Sequence, residues 1–306
     1  MNSVHKTVLL NETIDGLNLT KKSLVIDCTF GGGGHSAEIC RRYPGVKIFA
    51  LDQDKGAFEK AKDKFKNLDC QIDFINTNFK DLDKFVDSKV DAIIFDLGLS
   101  SDQLENSGRG FSFMKDEPLV MTMKENPFPE DVTAYDVVNT WSEKNLADII
   151  YGYGEERFSR KIAKAIVDAR EQSEIKTTFE LVKIIESAVP GAYKRGRLHF
   201  ATKTFQALRI AVNDELGVLK IGLHNGFHAL KKPARPHDGS GAGGGGRMSV
   251  ISFHSLEDRV VKKFFKELVQ SGVARLINKK PITATPEEIK NNPRSRSAKL
   301  RILEKI

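Results

Sequence analysis

The fold is decided by the stretch Leu24-Val-Ile-Asp-Cys-Thr-Phe-Gly-Gly-Gly-Gly-His-Ser36, where a short apolar run passes through four glycines into a helix-prone segment. Glycines at such a turn let the backbone approach a ligand closely. The spacing Gly32-x-Gly34-x-x-Ala37 matches the dinucleotide-binding pattern, and Asp52 lies where an acidic side chain binds ribose hydroxyls. The same geometry serves any adenosyl cofactor at the carboxyl ends of a parallel sheet, so a nucleoside-containing ligand is predicted.

Apolar runs of strand length recur through the first hundred residues. They cover residues 24–29, 47–52, 72–75 and 91–97, with helix-prone segments at 36–43 and 55–66 between them. Near-continuous apolar runs are typical of strands buried on both faces. Their alternation with helices predicts a parallel sheet with crossover helices.

The middle of the chain has a different pattern. From about Gln103 to Ile210 helix follows helix, and Thr140-x-x-Glu143 and Thr177-x-x-Glu180 have the spacing of capping boxes. Strand character returns at residues 248–253 and 300–303. We therefore expect an α/β fold in which a Rossmann-like sheet domain, residues 1–103 and 211–306, is interrupted by an all-helical insert at 104–210.

The composition is that of a globular protein, with 40% hydrophobic and 29% charged residues, which excludes disordered, collagen-like and coiled-coil classes. No apolar run approaches the ~18 residues that span a bilayer, and the first residues match neither a signal nor a transit pattern, so a cytoplasmic protein is expected. Cys28, Cys40 and Cys70 fit neither a disulfide framework nor a zinc spacing. Reduced structural thiols and no metal site are expected, and the Gly239 to Gly246 tract is expected to be a mobile loop.

The net charge of +7 is concentrated near the C-terminus. Residues 275–306 contain nine Lys or Arg and three Glu, an excess of six. Such a tail is either a solvated face or a nucleic-acid contact. On the second interpretation, the predicted phosphate contacts are Arg294, Arg296, Lys299 and Arg301.

Two further predicted strands also end in chemically active groups. Asn76-Thr-Asn-Phe-Lys-Asp81 follows the third strand and Asp96-Leu-Gly-Leu-Ser-Ser-Asp-Gln103 follows the fourth. Class I methyltransferases use four such places in order: a Gly loop for the methionine part of S-adenosylmethionine, an acid for the ribose, a loop near the adenine, and a fourth-strand motif facing the methyl acceptor. An NAD-dependent dehydrogenase, the rival enzyme, would need a pyrophosphate site and gives the fourth motif no role.

Long motifs then connect the chain to a known family. They are His5-Lys-Thr-Val-Leu-Leu-Asn-Glu12, the Asp27 to Ser36 stretch, Phe95-Asp-Leu-Gly-Leu-Ser-Ser101, Arg109-Gly-Phe-Ser-Phe113, Tyr153-Gly-Glu-Glu-Arg-Phe158, Ala201-Thr-Lys-Thr-Phe-Gln-Ala-Leu-Arg-Ile210, Ser252-Phe-His-Ser-Leu-Glu-Asp-Arg259 and Asn292-Pro-Arg-Ser-Arg-Ser297. With them the sequence closely resembles the RsmH/MraW family of bacterial 16S ribosomal RNA (cytosine-N4)-methyltransferases.

The resemblance implies a class I methyltransferase sheet, S-adenosyl-L-methionine as cofactor, and N4-methylation of a cytidine in the decoding region of 16S rRNA, with the 30S subunit as partner. It implies that the insert recognises the substrate. The implied cofactor contacts are Gly33, Gly34, His35, Asp52, Phe79, Asp96 and Gln103.

The chain departs from the family pattern at three places. Pro118-Leu-Val-Met-Thr-Met123 replaces the usual Pro-Leu-Asp-Met-Arg-Met, which loses one acid and one base together and suggests a dispensable ion pair. Phe200 stands where Pro is usual, and the Gly239 to Gly246 tract enlarges a short turn. None of these changes touches the cofactor set.

Asp96 is the first candidate for the catalytic hydrogen-bond acceptor near the methyl-accepting amine. Ser100 and Ser101 either hydrogen-bond the base or form a turn, and His254 either reaches the base or is a structural histidine. Recognition of an unstacked cytidine in folded RNA would rely on shape and phosphates. A non-enzymatic RNA-binding module is the rival class of function.

Two other features are interpreted as structural. His224 and His228 stand four residues apart, as metal ligands on one helix would, but without a third ligand or a general-base Glu they are better read as ordinary helix residues. Phe111 and Phe113 could stack on a base, although packing is favoured.

Overall fold

The computed structural model describes residues 6–233 and 244–306, and it divides into two units. Unit 1 comprises Met1–Gly98 and Leu216–Ile306, and unit 2 comprises Leu99–Glu215. The sequence placed the corresponding bounds of the insert at residues 104 and 210. Residues 239–243 of the expected glycine loop lie outside the described residues.

Unit 1 is built on one sheet whose strand order is β3-β2-β1-β4-β5-β7-β6. The strands are β1 (Leu24–Asp27), β2 (Val46–Asp52), β3 (Cys70–Asn76), β4 (Ala92–Asp96), β5 (Arg247–Ser252), β6 (Ala274–Leu276) and β7 (Lys299–Lys305). Strands β1 to β5 are parallel, while β7 runs antiparallel to both β5 and β6. The predicted parallel sheet is confirmed; the three-residue strand β6 was not predicted.

Helices cover both faces of this sheet. They are α1 (Leu10–Leu17), α2 (Gly34–Arg42), α3 (Lys55–Phe65), and then α11 (Glu215–Ala229), α12 (Ser255–Gln270) and α13 (Pro286–Asn291) after the interruption. Alternate strand residues enter different cores, because successive side chains point to opposite faces. Val25 packs with residues of α1, α2 and α3, whereas Ile26 packs with residues of α11 and α12. The apolar runs of the sequence are therefore strands buried on both sides.

The strand order reverses between β1 and β4. Both strands pair in parallel, with Asp27 opposite Ile94, so the turns after β1 and β4 leave the sheet side by side. In open α/β sheets, ligands bind at the carboxyl ends of the strands at such a reversal. The fold thus places the glycine turn and the fourth-strand motif at the same crevice.

Unit 2 is helical. Its helices, within the part of the chain that the structure describes, are α4 (Ser101–Asn106), α5 (Ala134–Thr140), α6 (Glu143–Gly152), α7 (Ser159–Arg170), α8 (Thr178–Ala188), α9 (Gly191–Lys194) and α10 (Thr202–Asn213). The capping box of Thr177 and Glu180 forms as predicted. The one predicted at Thr140 is wrong, because the Thr140 hydroxyl donates back to Asp136 O and Ser142 caps α6 instead.

Phe111 and Phe113 pack inside unit 2. Phe111 is buried in its core, and the Phe113 ring stacks on His199 with 4.6 Å between centroids. Arg109 is also buried, and its Nη1 donates to the carbonyl of Thr122 at 3.0 Å and to two further carbonyls. Thr122, which stands where the family usually has Arg, is therefore buried, and its carbonyl accepts a hydrogen bond from Arg109.

A lysine of the last strand, β7, caps the C-terminus of helix α11. The Lys305 side chain is buried, and its Nζ donates to the carbonyls of Phe227 at 2.8 Å and Leu230 at 2.9 Å. Those carbonyls lie at the helix C-terminus, where a cation is favoured by the helix dipole and by the unpaired acceptors. Desolvation lowers the pKa of Lys305 from its ordinary value.

The expectation of three reduced cysteines is wrong. Cys40 in α2 and Cys70 at the start of β3 form a disulfide with 5.5 Å between their Cα atoms, and Cys28 is a buried free thiol. Their separation of 30 residues resembles no small disulfide framework, and only the packing of α2 beside the sheet brings them together. Among the described residues, no helix is long and apolar enough to cross a membrane.

Candidate active site

Three carboxylates meet at the carboxyl ends of strands in unit 1. Asp27 ends β1, Asp52 ends β2 and Asp96 ends β4. Burial raises the pKa of Asp27 and Asp52 to about 6 and that of Asp96 to about 8. Raised pKa values at one edge of the sheet mark a candidate functional site, since desolvated charges are otherwise avoided.

The glycine turn between β1 and α2 forms the floor of this edge. Gly33 precedes α2 with a φ of +68°, and a Cβ there would lie 2.6 Å from Cζ of Phe30, so only glycine fits. Gly34 and His35 begin α2, whose N-terminal amides favour a negative group such as the carboxylate of a methionine part. His35 is buried, with its Nδ1 3.7 Å from Oδ2 of Asp96.

Asp52 connects the second strand to the glycine turn. Its Oδ2 accepts from the Gly31 amide at 2.7 Å, and its Oδ1 accepts from the Asp54 amide at 2.8 Å. Burial raises its pKa, and these two amides partly offset that effect. Each carboxylate oxygen keeps a second lone pair, so the side chain is held in place and can still accept from a pair of ribose hydroxyls.

Asp27 holds the glycine turn in place through hydrogen bonds. It lies in the motif quoted first, but the sequence alone assigned it no role. Its Oδ2 accepts from the Ser36 hydroxyl at 2.6 Å, and its Oδ1 accepts from the Thr29 amide at 3.3 Å. Thr29 in turn accepts at Oγ1 from the Asp96 amide at 2.6 Å. The buried acid thus links β1, α2 and the end of β4, a role whose sequence signal is an acid four residues before the first glycine.

Asp96 has the most perturbed carboxyl group of the three. Desolvation is the largest cause of its raised pKa, followed by the negative charges of Asp27 and Glu257. About a fifth of its side chain is exposed, yet Oδ1 is buried and has no hydrogen-bond partner among the described residues. An unsatisfied buried acceptor at the strand reversal is what a ligand carrying N–H groups would complete.

Phe79 begins a short 3-10 helix, Phe79–Lys84, directly after β3. Its half-buried ring meets Phe95 edge-on at 5.4 Å. A Cβ on Gly222 of α11 would lie 2.4 Å from Cδ2 of Phe79, so the glycine makes room for this ring. Gly222 is a positioning residue that the sequence did not indicate, because its effect depends on α11 crossing beneath the β3 loop.

His254 stands at the end of β5 and caps α12. Its Nδ1 accepts from the Glu257 amide at 3.4 Å, while the Glu257 carboxylate accepts from the Phe253 amide at 2.8 Å. The histidine Nε2 lies 3.2 Å from Glu257 Oε1. The structure therefore gives His254 a capping role; a contact with RNA stays a prediction.

Ser100, Ser101 and Gln103 belong to unit 2, at the start of α4. Ser100 and Gln103 form a capping box, with Gln103 N to Ser100 Oγ at 3.1 Å and Ser100 N to Gln103 Oε1 at 3.0 Å. Of the two roles considered for Ser100, the structure therefore shows the turn. The side chain of Ser101 lies outside the described residues.

The four predicted phosphate contacts divide into two pairs. Lys299 and Arg301 lie on β7 and both bind Asp258, at 3.1 Å and 2.7 Å, so their charge is partly neutralised. Arg296 is exposed and Arg294 half-buried on the short 3-10 helix Pro293–Ser297. Arg296, the more exposed of these two, is the better placed to meet a phosphate.

His224 and His228 face each other on α11 with 3.2 Å between their Nε2 atoms. Desolvation, followed by the electrostatic effect of His224, lowers the pKa of His228. The interpretation as helix residues stays the simpler one. On the same helix Leu219, Leu223 and Phe227 are buried and belong to the core.

A sheet of this order with an antiparallel seventh strand, carrying acids at the ends of β2 and β4 and a glycine turn after β1, is a class I S-adenosylmethionine-dependent methyltransferase fold. The residues fit that cofactor, because Asp96 offers a buried unsatisfied acceptor and Gly33 keeps the turn open. The chain belongs to the MraW methylase family, whose model matches residues 2–306.

Curated relatives agree with this membership along the whole chain. The chain is 43% identical to ribosomal RNA small subunit methyltransferase H of Clostridium botulinum (strain Kyoto / Type A2), covering 99% of both chains. It is 41% identical to the protein of that name from Paenibacillus sp. (strain JDR-2), again covering 99% of each. Among solved structures, an rRNA methylase from Streptococcus thermophilus is 12% identical with a TM-score of 0.45, covering 99% of each chain.

Proposed function

We propose that this protein transfers a methyl group to the N4 amine of a cytidine in the 16S rRNA of the small ribosomal subunit, in its decoding region. The relatives named as small subunit rRNA methyltransferases support the substrate class. The observation that carries the reaction is Asp96, a carboxylate at the strand reversal with a buried unsatisfied oxygen and a pKa raised to about 8. A cytoplasmic location goes with this substrate and stays a prediction.

The chemistry demands an acceptor of this kind. The lone pair of the cytidine N4 amine is delocalised into the ring, which makes the amine a poor nucleophile. When bound, S-adenosylmethionine supplies a methyl group already activated by a sulfonium. The protein therefore has to orient the amine and polarise its N–H bonds at the moment of attack.

Asp96 is assigned that role. Its Oδ1 accepts from an N4 hydrogen and localises the lone pair on nitrogen, and the carboxylate takes the proton after transfer, because an N-methylated ammonium is strongly acidic. Its backbone is held by Thr29 and its Oδ2 faces His35 at 3.7 Å, so the carboxylate is fixed before substrate arrives. Preorganisation of this kind lowers the reorganisation needed during reaction.

We assign the methionine part to Gly33, Gly34 and His35, the ribose to Asp52 and the adenine to Phe79. Asp96 and Gln103 complete the set. Arg296 is the best exposed of the cations assigned to RNA phosphates, while Arg294, Lys299 and Arg301 each also have an intramolecular interaction. Ser100, Ser101 and His254 are weaker candidates for RNA contact, because Ser100 and His254 already cap helices.

The test is incubation of the protein with labelled S-adenosylmethionine and unmethylated 30S subunits, followed by nucleoside analysis. We expect label in N4-methylcytidine at a single site. Label in a carbon-methylated or ribose-methylated nucleoside would refute the proposed acceptor. Tight RNA binding without methyl incorporation would instead favour the non-enzymatic RNA-binding module.

A further inference from the structure

We propose that a cluster of cations on the helical unit, three exposed and one half-buried, here called the insert basic patch, binds the phosphodiester backbone of the RNA substrate. The patch consists of Arg157, Lys194, Arg195 and Arg197. The proposal rests on the proposed function and deepens it, since it names the surface by which unit 2 would hold the RNA. From Ser187 to Asn213 the chain contains five Lys or Arg and no acidic residue.

A tightly built turn presents Arg157. Glu155, a non-glycine residue, adopts a φ of +49°, a conformation that costs free energy unless its surroundings impose it. The next residue, Glu156, is fully buried, and its carboxylate accepts from the Phe158 amide at 2.8 Å and from the Tyr193 hydroxyl. The buried acid therefore connects the turn before α7 to helix α9, which contains Lys194 and is followed by Arg195 and Arg197.

The guanidinium of Arg157 is oriented in advance. Its Cζ lies 4.7 Å from the ring centroid of Phe158 and 5.3 Å from that of Tyr193, while the residue remains exposed. A planar cation held over aromatic faces loses less side-chain entropy when it forms a fork with a phosphate.

Arg195 and Arg197 follow α9 as exposed, uncompensated charges. Gly196 between them donates to Tyr193 O at 3.1 Å, which turns the backbone just past the helix. Among the described residues neither arginine forms an ion pair, whereas Lys194 lies 3.5 Å from Glu186. Exposed cations without partners lose no intramolecular salt bridge when they meet a phosphate, so the gain from counterion release is retained.

The surroundings of the patch favour RNA over an acidic protein surface. Leu198 beside Arg197 is 59% exposed, and the adjoining His199 ring stacks on Phe113. Arginine forks beside apolar and aromatic surface match a strand that carries phosphates and unstacked bases together. An acidic protein surface would pair with the arginine charges but would not need the apolar and aromatic surface beside them.

The test compares two double variants that remove the same charge. R195Q/R197Q changes the patch, and K262Q/K266Q changes two exposed lysines of α12 in unit 1. Affinity for 16S rRNA and for 30S subunits is measured at several salt concentrations, and S-adenosylmethionine affinity is measured by calorimetry. For R195Q/R197Q we expect about tenfold weaker RNA binding near 0.1 M salt and a log–log salt slope smaller by roughly 1.4. The cofactor affinity and kcat at saturating RNA should match those of the wild type.

Each outcome decides the proposal. A restored salt slope with only part of the affinity recovered in R195K/R197K supports it, because lysine restores the charge but not the planar fork. Equal weakening in both double variants, or weaker binding with an unchanged salt slope, overturns it. A wild-type protein that neither binds nor methylates 16S rRNA would refute the proposed function itself, so the two failures are distinguishable.

Discussion

Replacement of Asp96 tests the proposed chemistry most directly, because its carboxyl pKa lies inside the range where the enzyme can be assayed. With a pKa of about 8, roughly 9% of the carboxyl is ionised at pH 7 and roughly 91% at pH 9. If the carboxylate accepts the N4 proton, kcat/KM, which reports the free enzyme, rises about tenfold between these pH values. The assay is labelled methyl transfer to 30S subunits with S-adenosylmethionine varied at each pH.

Asp96→Asn removes this rise. The amide keeps the size of the side chain but cannot take a proton, so we expect kcat to fall by ~100-fold or more and the remaining activity to be independent of pH between 7 and 9. The variant should melt no lower than the wild type at pH 9, because it removes a desolvated charge. A flat wild-type profile, or a variant with full activity and normal cofactor affinity, would refute the assignment.

Asp27 provides a second arm of the same test. Its charge is one cause of the raised pKa of Asp96, so Asp27→Asn is expected to move the wild-type rise toward lower pH. Asp27 and Asp52, with pKa values of about 6, are themselves largely ionised above pH 7 and contribute little to the profile there. If kcat/KM of this variant rises over the same pH range as in the wild type, the pH dependence does not come from the interacting carboxylates.

Other perturbations test the fold that supports the site. Lys305→Met should lower the free energy of unfolding by about 3 kcal/mol, because it leaves carbonyls at the end of α11 unpaired; denaturant titration measures this, and a loss below ~1 kcal/mol would contradict the capping role. Gly222→Ala should weaken S-adenosylmethionine binding roughly tenfold by displacing the Phe79 ring, with kcat largely retained; unchanged calorimetric affinity would exclude Phe79 from the adenine site. Reduction of the Cys40–Cys70 disulfide should lower the free energy of unfolding by about 3.5 kcal/mol, since it closes a 30-residue separation, and Cys70→Ser should be insensitive to reductant; a wild type equally insensitive would show that the bond does not form in solution.

Local patterns were sufficient for most of unit 1. The apolar runs beginning near Leu24, Lys47 and Asp91 became β1, β2 and β4, because strands buried on both faces have to be apolar along their whole length. The edge strand β6 lacks such an apolar run and was therefore not predicted. Its three residues pair on one side only, and two of them are exposed, so they carry no apolar pattern.

Errors arose where two patterns of equal local quality compete. Thr140-x-x-Glu143 and Ser142-x-x-Asn145 both resemble the start of a helix. The structure selects Ser142, since Thr140 already ends α5 and its hydroxyl is bound to Asp136 O. Likewise the sequence predicted Lys299 and Arg301 to be available for phosphates, whereas in the structure both form ion pairs with Asp258.

The fold class, the glycine turn and the acids at the strand ends follow from short local patterns, because each of these is encoded within a few consecutive residues. How distant groups act on one another depends on the folded molecule. It joined Cys40 to Cys70, set Gly222 under Phe79, and buried Asp96 near two other negative charges. Desolvation and Coulomb interaction depend on distance in space, and no local pattern of residues specifies that distance.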